Sequence, residues 1–186
     1  YGPRFNSDAS NGRYFLEDFL FKKWGCPVRG PAMIRRTAWD AIGGMRLEFN
    51  LLADVDMWMR LSALGHVGYV AEPVIRVRHQ RPENYPEEYK ETSWSWRRQR
   101  ILYEIHAANR LAYWNLSTLV GRLKWWGFRL KLSFETTKWL VYAVVRKRPD
   151  MITTSHESVT AYDLWSLRLL RWALQHIYPL SVNPAT

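Results

Sequence analysis

The chain has 186 residues, 47% of them hydrophobic and 24% charged, and a formal net charge of +10. That composition excludes a wholly disordered chain, and a length within the usual span of about 100–200 residues per domain allows one domain, or one domain with an appendage. A lone cysteine, Cys26, excludes a disulfide framework and a four-cysteine zinc site, and fits a reducing compartment.

Residues 1–12 (YGPRFNSDASNG) carry turn chemistry and predict a loop or hairpin. Residues 14–24 (YFLEDFLFKKW) predict a short helix that Gly25 to Pro27 ends. After Gly30-Pro31, residues 32–34 read as a short buried strand. Thr37 is placed to cap a helix that runs through Ile42 and stops at Gly43-Gly44. Residues 53–64 (ADVDMWMRLSAL) form the clearest helical pattern. Asp54 and Asp56 stand in the first turn, Met57, Leu61 and Leu64 make an apolar stripe, and Gly65 marks the end. Residues 66–71 and 74–77 (VIRV) predict two short strands around the Glu72-Pro73 turn. Short helices and strands in alternation predict an α/β fold for this half. A polar, proline-punctuated link follows at 82–91. Helices are then expected over 94–114, over 116–145 with a bend available at Gly121 or Gly127, and over 161–178.

Charge divides the chain at the same place. Residues 1–89 carry 12 Lys+Arg and 11 Asp+Glu, net +1, whereas residues 90–186 carry 15 and 6, net +9. Eight of the eleven tryptophans also lie in the second part. Two regions with different jobs are expected, residues 1–90 and 91–186.

Asp54 and Asp56 are the concentrated candidate site of the first half. A carboxylate at a helix start is held charged by the free N–H groups and the dipole, which suits a general base if a hydroxyl reaches it. The same placement also describes two ordinary first-turn acids. Gly43-Gly44 is either a helix stop or a place where backbone approaches a ligand closely. His79 follows a strand pattern and reads equally as a metal ligand or a solvent-exposed histidine. No P-loop, G-x-G-x-x-G, H-E-x-x-H or G-x-S-x-G motif occurs.

Read in order, residues 30–79 (GPAMIRRTAWDAIGGMRLEFNLLADVDMWMRLSALGHVGYVAEPVIRVRH) resemble the C-terminal half of the catalytic domain of family 2 glycosyltransferases, which have the GT-A fold. The carrying pieces are GPAMIRR (30–36), Gly43-Gly44, ADVDMWMRL (53–61), Gly65, Gly68-Tyr69-Val70, Glu72-Pro73 and Arg78-His79. Tyr1-Gly2 and Asn11-Gly12 are similar to the segment after that family's metal-binding strand. The resemblance covers about residues 1–80 and implies a Rossmann-like α/β half-domain followed by a helical extension.

By that resemblance, the activity is inverting transfer of a sugar from a nucleotide-sugar donor to the hydroxyl of a glycan or lipid-linked acceptor. Asp54 stands at the catalytic base and His79 at a ligand of a divalent metal, Mg²⁺ or Mn²⁺, acting as Lewis acid on the diphosphate. Gly30, Gly43, Gly44, Asp56 and Arg60 stand around the substrates, with Asp56, Trp58 and Arg60 bracing the helix. Two positions depart from the family pattern. Ala53 replaces a Glu, and Met45-Arg46 replaces Phe-Asp. The chain starts at Tyr1 with no Met and no signal-like segment, and holds no Asp-x-Asp after an apolar strand. It therefore reads as a fragment, expected to be inactive alone.

In the second half, aromatics interleave with Arg and Lys, as in SWSWRRQR (93–100) and GRLKWWGFRLK (121–131). Three readings fit: a module lying on an anionic membrane surface, a nucleic-acid binder, or a helical bundle with tryptophans in its core. No uncharged apolar run reaches the ~18–20 residues of a membrane span. The family's acceptors favour the membrane, so a peripheral cytoplasmic protein at the inner face is expected and nucleic acid is disfavoured.

Overall fold

A computed structural model describes residues 9–22, 32–70, 72, 76, 92–148 and 172. Among these, the elements in chain order begin with β1 (Ala9–Ser10) and α1 (Gly12–Tyr14), which runs into a π-helical stretch, Phe15–Leu20. Then come α2 (Arg36–Ile42), a 3-10 helix (Leu47–Leu52), α3 (Ala53–Leu64), β2 (Val67–Gly68), α4 (Thr92–Tyr113) and α5 (Leu119–Val145).

The expected α/β class is overturned. The described residues are overwhelmingly helical, and their strands are two residues each, paired antiparallel with Ala9 opposite Gly68 and Ser10 opposite Val67. No parallel sheet with helices on its faces is present among them, so the expected Rossmann-like half-domain is not formed there. The strand expected at 32–34 fails for a plain reason: Ala32 and Met33 are exposed, so no burial favours an extended run. A three-residue apolar run carries too little periodicity to decide its own conformation. The expected strand at 66–71 shrinks to Val67–Gly68. The expectations for residues 1–8, Gly30, residues 74–77, His79, the 82–91 link and the 161–178 helix fall outside the described residues, apart from Arg76 and Trp172.

The chain divides into two compact units, Tyr1–Pro86 with Glu104–Asn109, and Glu87–Tyr103 with Arg110–Thr186. In the first unit α3 is the central element, packing on α1, the π-helical stretch, α2 and the 3-10 helix. Its inner positions Ala53, Val55, Met57 and Met59 are buried, as are Leu16 and Leu20 of the π-helical stretch. Phe15 stacks on Phe19 with centroids 5.3 Å apart. The N-terminus of α1 meets the C-terminus of α3 at Gly12, where a Cβ would lie 2.9 Å from the Gly65 carbonyl carbon and closer still to the carbonyl oxygens of Gly65 and Ser62.

In the second unit the turn into α5 is built by side chains. Asn115 Oδ1 accepts from the Ser117 amide at 3.0 Å, and Thr118 Oγ1 donates to the Asn115 carbonyl at 2.8 Å. Thr118 then caps α5 by accepting from the Gly121 amide at 3.0 Å. The helix continues unbroken through Gly121 and Gly127. It closes on Lys147 at φ 52°, with the amides of Lys147 and Arg148 donating to the carbonyls of Val144 and Ala143, the pattern of a Schellman motif. Among the described residues no helix is long and apolar enough to cross a membrane.

The two helical glycines of α5 differ in surroundings and so in expected behaviour. A Cβ at Gly121 would lie 2.6 Å from the Asn115 carbonyl carbon, whereas one at Gly127 meets nothing within 4 Å. Gly127→Ala is therefore expected to stabilise the fold by about 1 kcal/mol, and Gly121→Ala to destabilise it, read from urea midpoints.

Part of the tryptophan-rich half does form core. Phe128 meets Trp114 edge-on at 6.4 Å and Trp125 at 5.6 Å. The buried Arg110 guanidinium lies 4.4 Å from the Phe128 ring centroid and 5.7 Å from that of Trp114. Burial lowers its pKa to about 9, so the cation carries a desolvation cost. Burial likewise raises the Tyr103 phenol above its ordinary value; the Gln99 and Trp139 side chains oppose this by hydrogen bonding, and the Glu135 charge adds to it.

Candidate functional site

The site is built by residues 36–64. Helix α2 ends where its chain turns left-handed at Gly43 (φ 68°) and Gly44 (φ 71°). The Gly43 amide donates to the Asp40 carbonyl and the Gly44 amide to the Trp39 carbonyl, closing the last turn. Two successive positive φ values favour glycine at both positions. Thr37 does not cap α2: Arg35 is the capping residue and Thr37 lies exposed in the first turn. The chain then enters the 3-10 helix, which breaks at Asn50 (φ 48°, ψ −126°), and α3 begins at Ala53 with Asp54 and Asp56 in its first turn.

The two acids have different fates. Asp56 has a fully buried carboxylate. Its Oδ2 accepts from Arg60 Nε at 2.7 Å, its Oδ1 accepts from Asn109 Nδ2 at 2.8 Å, and Arg46 Nη1 stands 3.7 Å away. Arg60 uses the rest of its planar fork on the glycine turn. Nη1 donates to the Ile42 carbonyl at 2.5 Å and Nη2 to the Gly44 carbonyl at 2.7 Å. Asp56, Arg60 and the Gly43-Gly44 turn are thus one hydrogen-bonded unit, and Asp56 and Arg60 serve it as bracing groups.

Asp54 is half-buried at the start of the same helix, its Oδ1 accepting from the Val55 amide at 2.8 Å. It is the acid whose surroundings leave it nearer to solvent. Two residues of the cluster are absent from the sequence-derived set. Arg46, one of the two departures from the family pattern, faces Asp56, and Asn109 reaches Asp56 from 53 positions away while also donating to the Ile105 carbonyl. Nothing local in the sequence marks Asn109.

Among the described residues no group of three or more His, Cys, Asp or Glu side chains is placed to hold a metal ion. Both Asp56 oxygens are engaged by Arg60 and Asn109. Gly30 and His79, the latter the metal ligand that the resemblance implies, lie outside the described residues. In comparisons with known proteins, no family model, no curated protein and no solved structure matches the chain.

Proposed function

We propose that the chain takes part in sugar transfer from a nucleotide-sugar donor to the hydroxyl of a glycan or lipid-linked acceptor, with inversion, at the cytoplasmic face of a membrane. Asp54 is the general base: its carboxylate takes the acceptor proton as the hydroxyl oxygen attacks the anomeric carbon and the nucleotide leaves. The observation that carries this reading is the Arg60 clamp. It ties the Gly43-Gly44 turn to α3, whose first turn presents Asp54, so turn and base are held in one rigid piece. The order of motifs over residues 30–79 supports the same chemistry. The reading rests on the 36–64 unit.

The test is Asp54→Asn, introduced into the protein as its gene encodes it, with transfer from radiolabelled nucleotide sugars as the readout. Turnover is expected to fall at least about a hundredfold, while the thermal midpoint changes little because Asp54 is only half-buried. Unchanged turnover would identify Asp54 as a first-turn acid and remove it from the chemistry. Absence of any sugar transfer by the unmutated protein would overturn the reaction class.

A further inference from the structure

Helix α5 is apolar on two sides, one of them covered and the other largely exposed. Phe128, Leu132, Leu140 and Ala143 are buried. On the other side Leu123, Trp126, Leu130, Phe134, Val141 and Val145 are exposed, Trp126 by 55% and Phe134 by 65%. Advancing 100° per residue, these six fall within one face about 100° wide, whose Trp126 edge also holds the buried Thr137 and Val144; that is the width of an apolar stripe that ordinarily packs against something. From Leu123 to Val145 the stripe is about 33 Å long at 1.5 Å per residue. Exposed apolar surface of that extent marks an interaction site.

The charges beside the stripe identify its occupant. Lys124, Lys131 and Lys138 recur every seven residues and line one edge; Arg122 and Arg129 line the other at the N-terminal half. Residues 119–148 hold eight Lys+Arg against a single acid, Glu135, which pairs with Lys138 at 2.6 Å. Aromatic rings and cations meet at these borders, with Arg129 Cζ 5.1 Å from the Trp126 ring centroid and Arg146 Cζ 5.7 Å from that of Tyr142. A second copy laid on the same face would bring like-charged lysine rows together. A protein partner would have to match both a flat apolar strip and cations along its borders. An anionic lipid surface meets both demands at once: acyl chains accept the stripe, and headgroups accept the flanking cations.

We propose that α5 lies flat on an anionic phospholipid surface through the Leu123–Val145 stripe, with the Lys124, Lys131 and Lys138 row at headgroup level. This deepens the membrane location proposed above, yet it rests on α5 alone and stands or falls independently of Asp54.

The test is co-sedimentation of the full 186-residue chain with vesicles of phosphatidylcholine, alone or with one-third phosphatidylglycerol. Partitioning is expected to be at least tenfold stronger with phosphatidylglycerol. The double substitution Leu130→Glu, Phe134→Glu should reduce it at least tenfold with an unchanged circular dichroism spectrum. Lys124→Gln with Lys131→Gln should remove the preference for anionic lipid and leave the weaker neutral-lipid binding in place. Equal binding to both vesicle types would overturn the proposal, as would retention of binding by the Leu130/Phe134 variant. Two other outcomes would also overturn it: a lipid-free dimer that the Leu130/Phe134 variant dissociates, or salt-sensitive RNA binding without lipid binding. Vesicle binding by the 186-residue chain, with no sugar transfer by the protein as its gene encodes it, would uphold it and fail only the reaction.

Discussion

Arg60→Ala is expected to lower the unfolding free energy by about 3–5 kcal/mol, measured by urea denaturation followed by circular dichroism. The size follows from what is left behind. The Asp56 side chain has no solvent exposure, and Arg60 is the charged group bonded directly to it. Arg46 is nearly half exposed and stands 3.7 Å off, too far to replace that hydrogen bond. Removing the guanidinium also takes a donor from the Ile42 and Gly44 carbonyls, so the glycine turn loses its tie to α3. Arg60→Lys should recover only part of the loss, because one ammonium cannot span a carboxylate and two carbonyls as the planar fork does. Asp56→Ala is expected to cost far less in the Arg60→Ala background than in the unmutated chain, since the uncompensated buried charge is then gone. Strict additivity of the two losses would show that Asp56 and Arg60 do not act as a pair.

Gly12→Ala is expected to cost about 3 kcal/mol or to prevent folding of the first unit. The added Cβ would overlap the carbonyl oxygens of Gly65 and Ser62. These are backbone atoms at the end of a packed helix, so no side-chain rotation relieves the clash. Gly65→Ala supplies the matched control, because a Cβ there meets nothing within 4 Å and the backbone is extended (φ −157°). Its thermal midpoint should correspond to a change within about 0.5 kcal/mol. Equal effects of the two substitutions would mean that α1 and α3 do not approach as closely as Gly12 requires.

The bounds of α3 were legible in the sequence, because their signals are local: first-turn acids, an apolar stripe and a following glycine. The end of α2 at Gly43-Gly44 was legible on the same grounds. Its start was not. Thr37 offered a cap, but the helix begins at Arg36, a turn edge at which the side-chain preference is easily overridden. The strand expected at 32–34 is absent and the one at 66–71 shrinks to Val67–Gly68, because short apolar runs do not by themselves choose between extended and irregular backbone. Asp56 and Arg60, which the resemblance placed as bracing groups, form an i,i+4 ion pair. The rest of that cluster was not legible, since Ile42, Gly44 and Asn109 lie 18, 16 and 53 positions from their partners.

The sequence by itself determined where the described long helices run and where the positive charge accumulates, because helix formation and net charge depend on near neighbours and simple counting. The tertiary structure decided how equivalent residues divide. Asp54 and Asp56 occupy the same helical turn, yet Asp56 is sealed under Arg60 and Asn109 while Asp54 stays half-buried. Trp125 and Trp126 are adjacent, yet Trp125 packs on Phe128 and Trp126 faces outward. Burial is set by elements distant in the chain, which composition and periodicity do not encode, and that burial separates the bracing acid from the proposed base and the half-buried Trp125 from the proposed lipid contact.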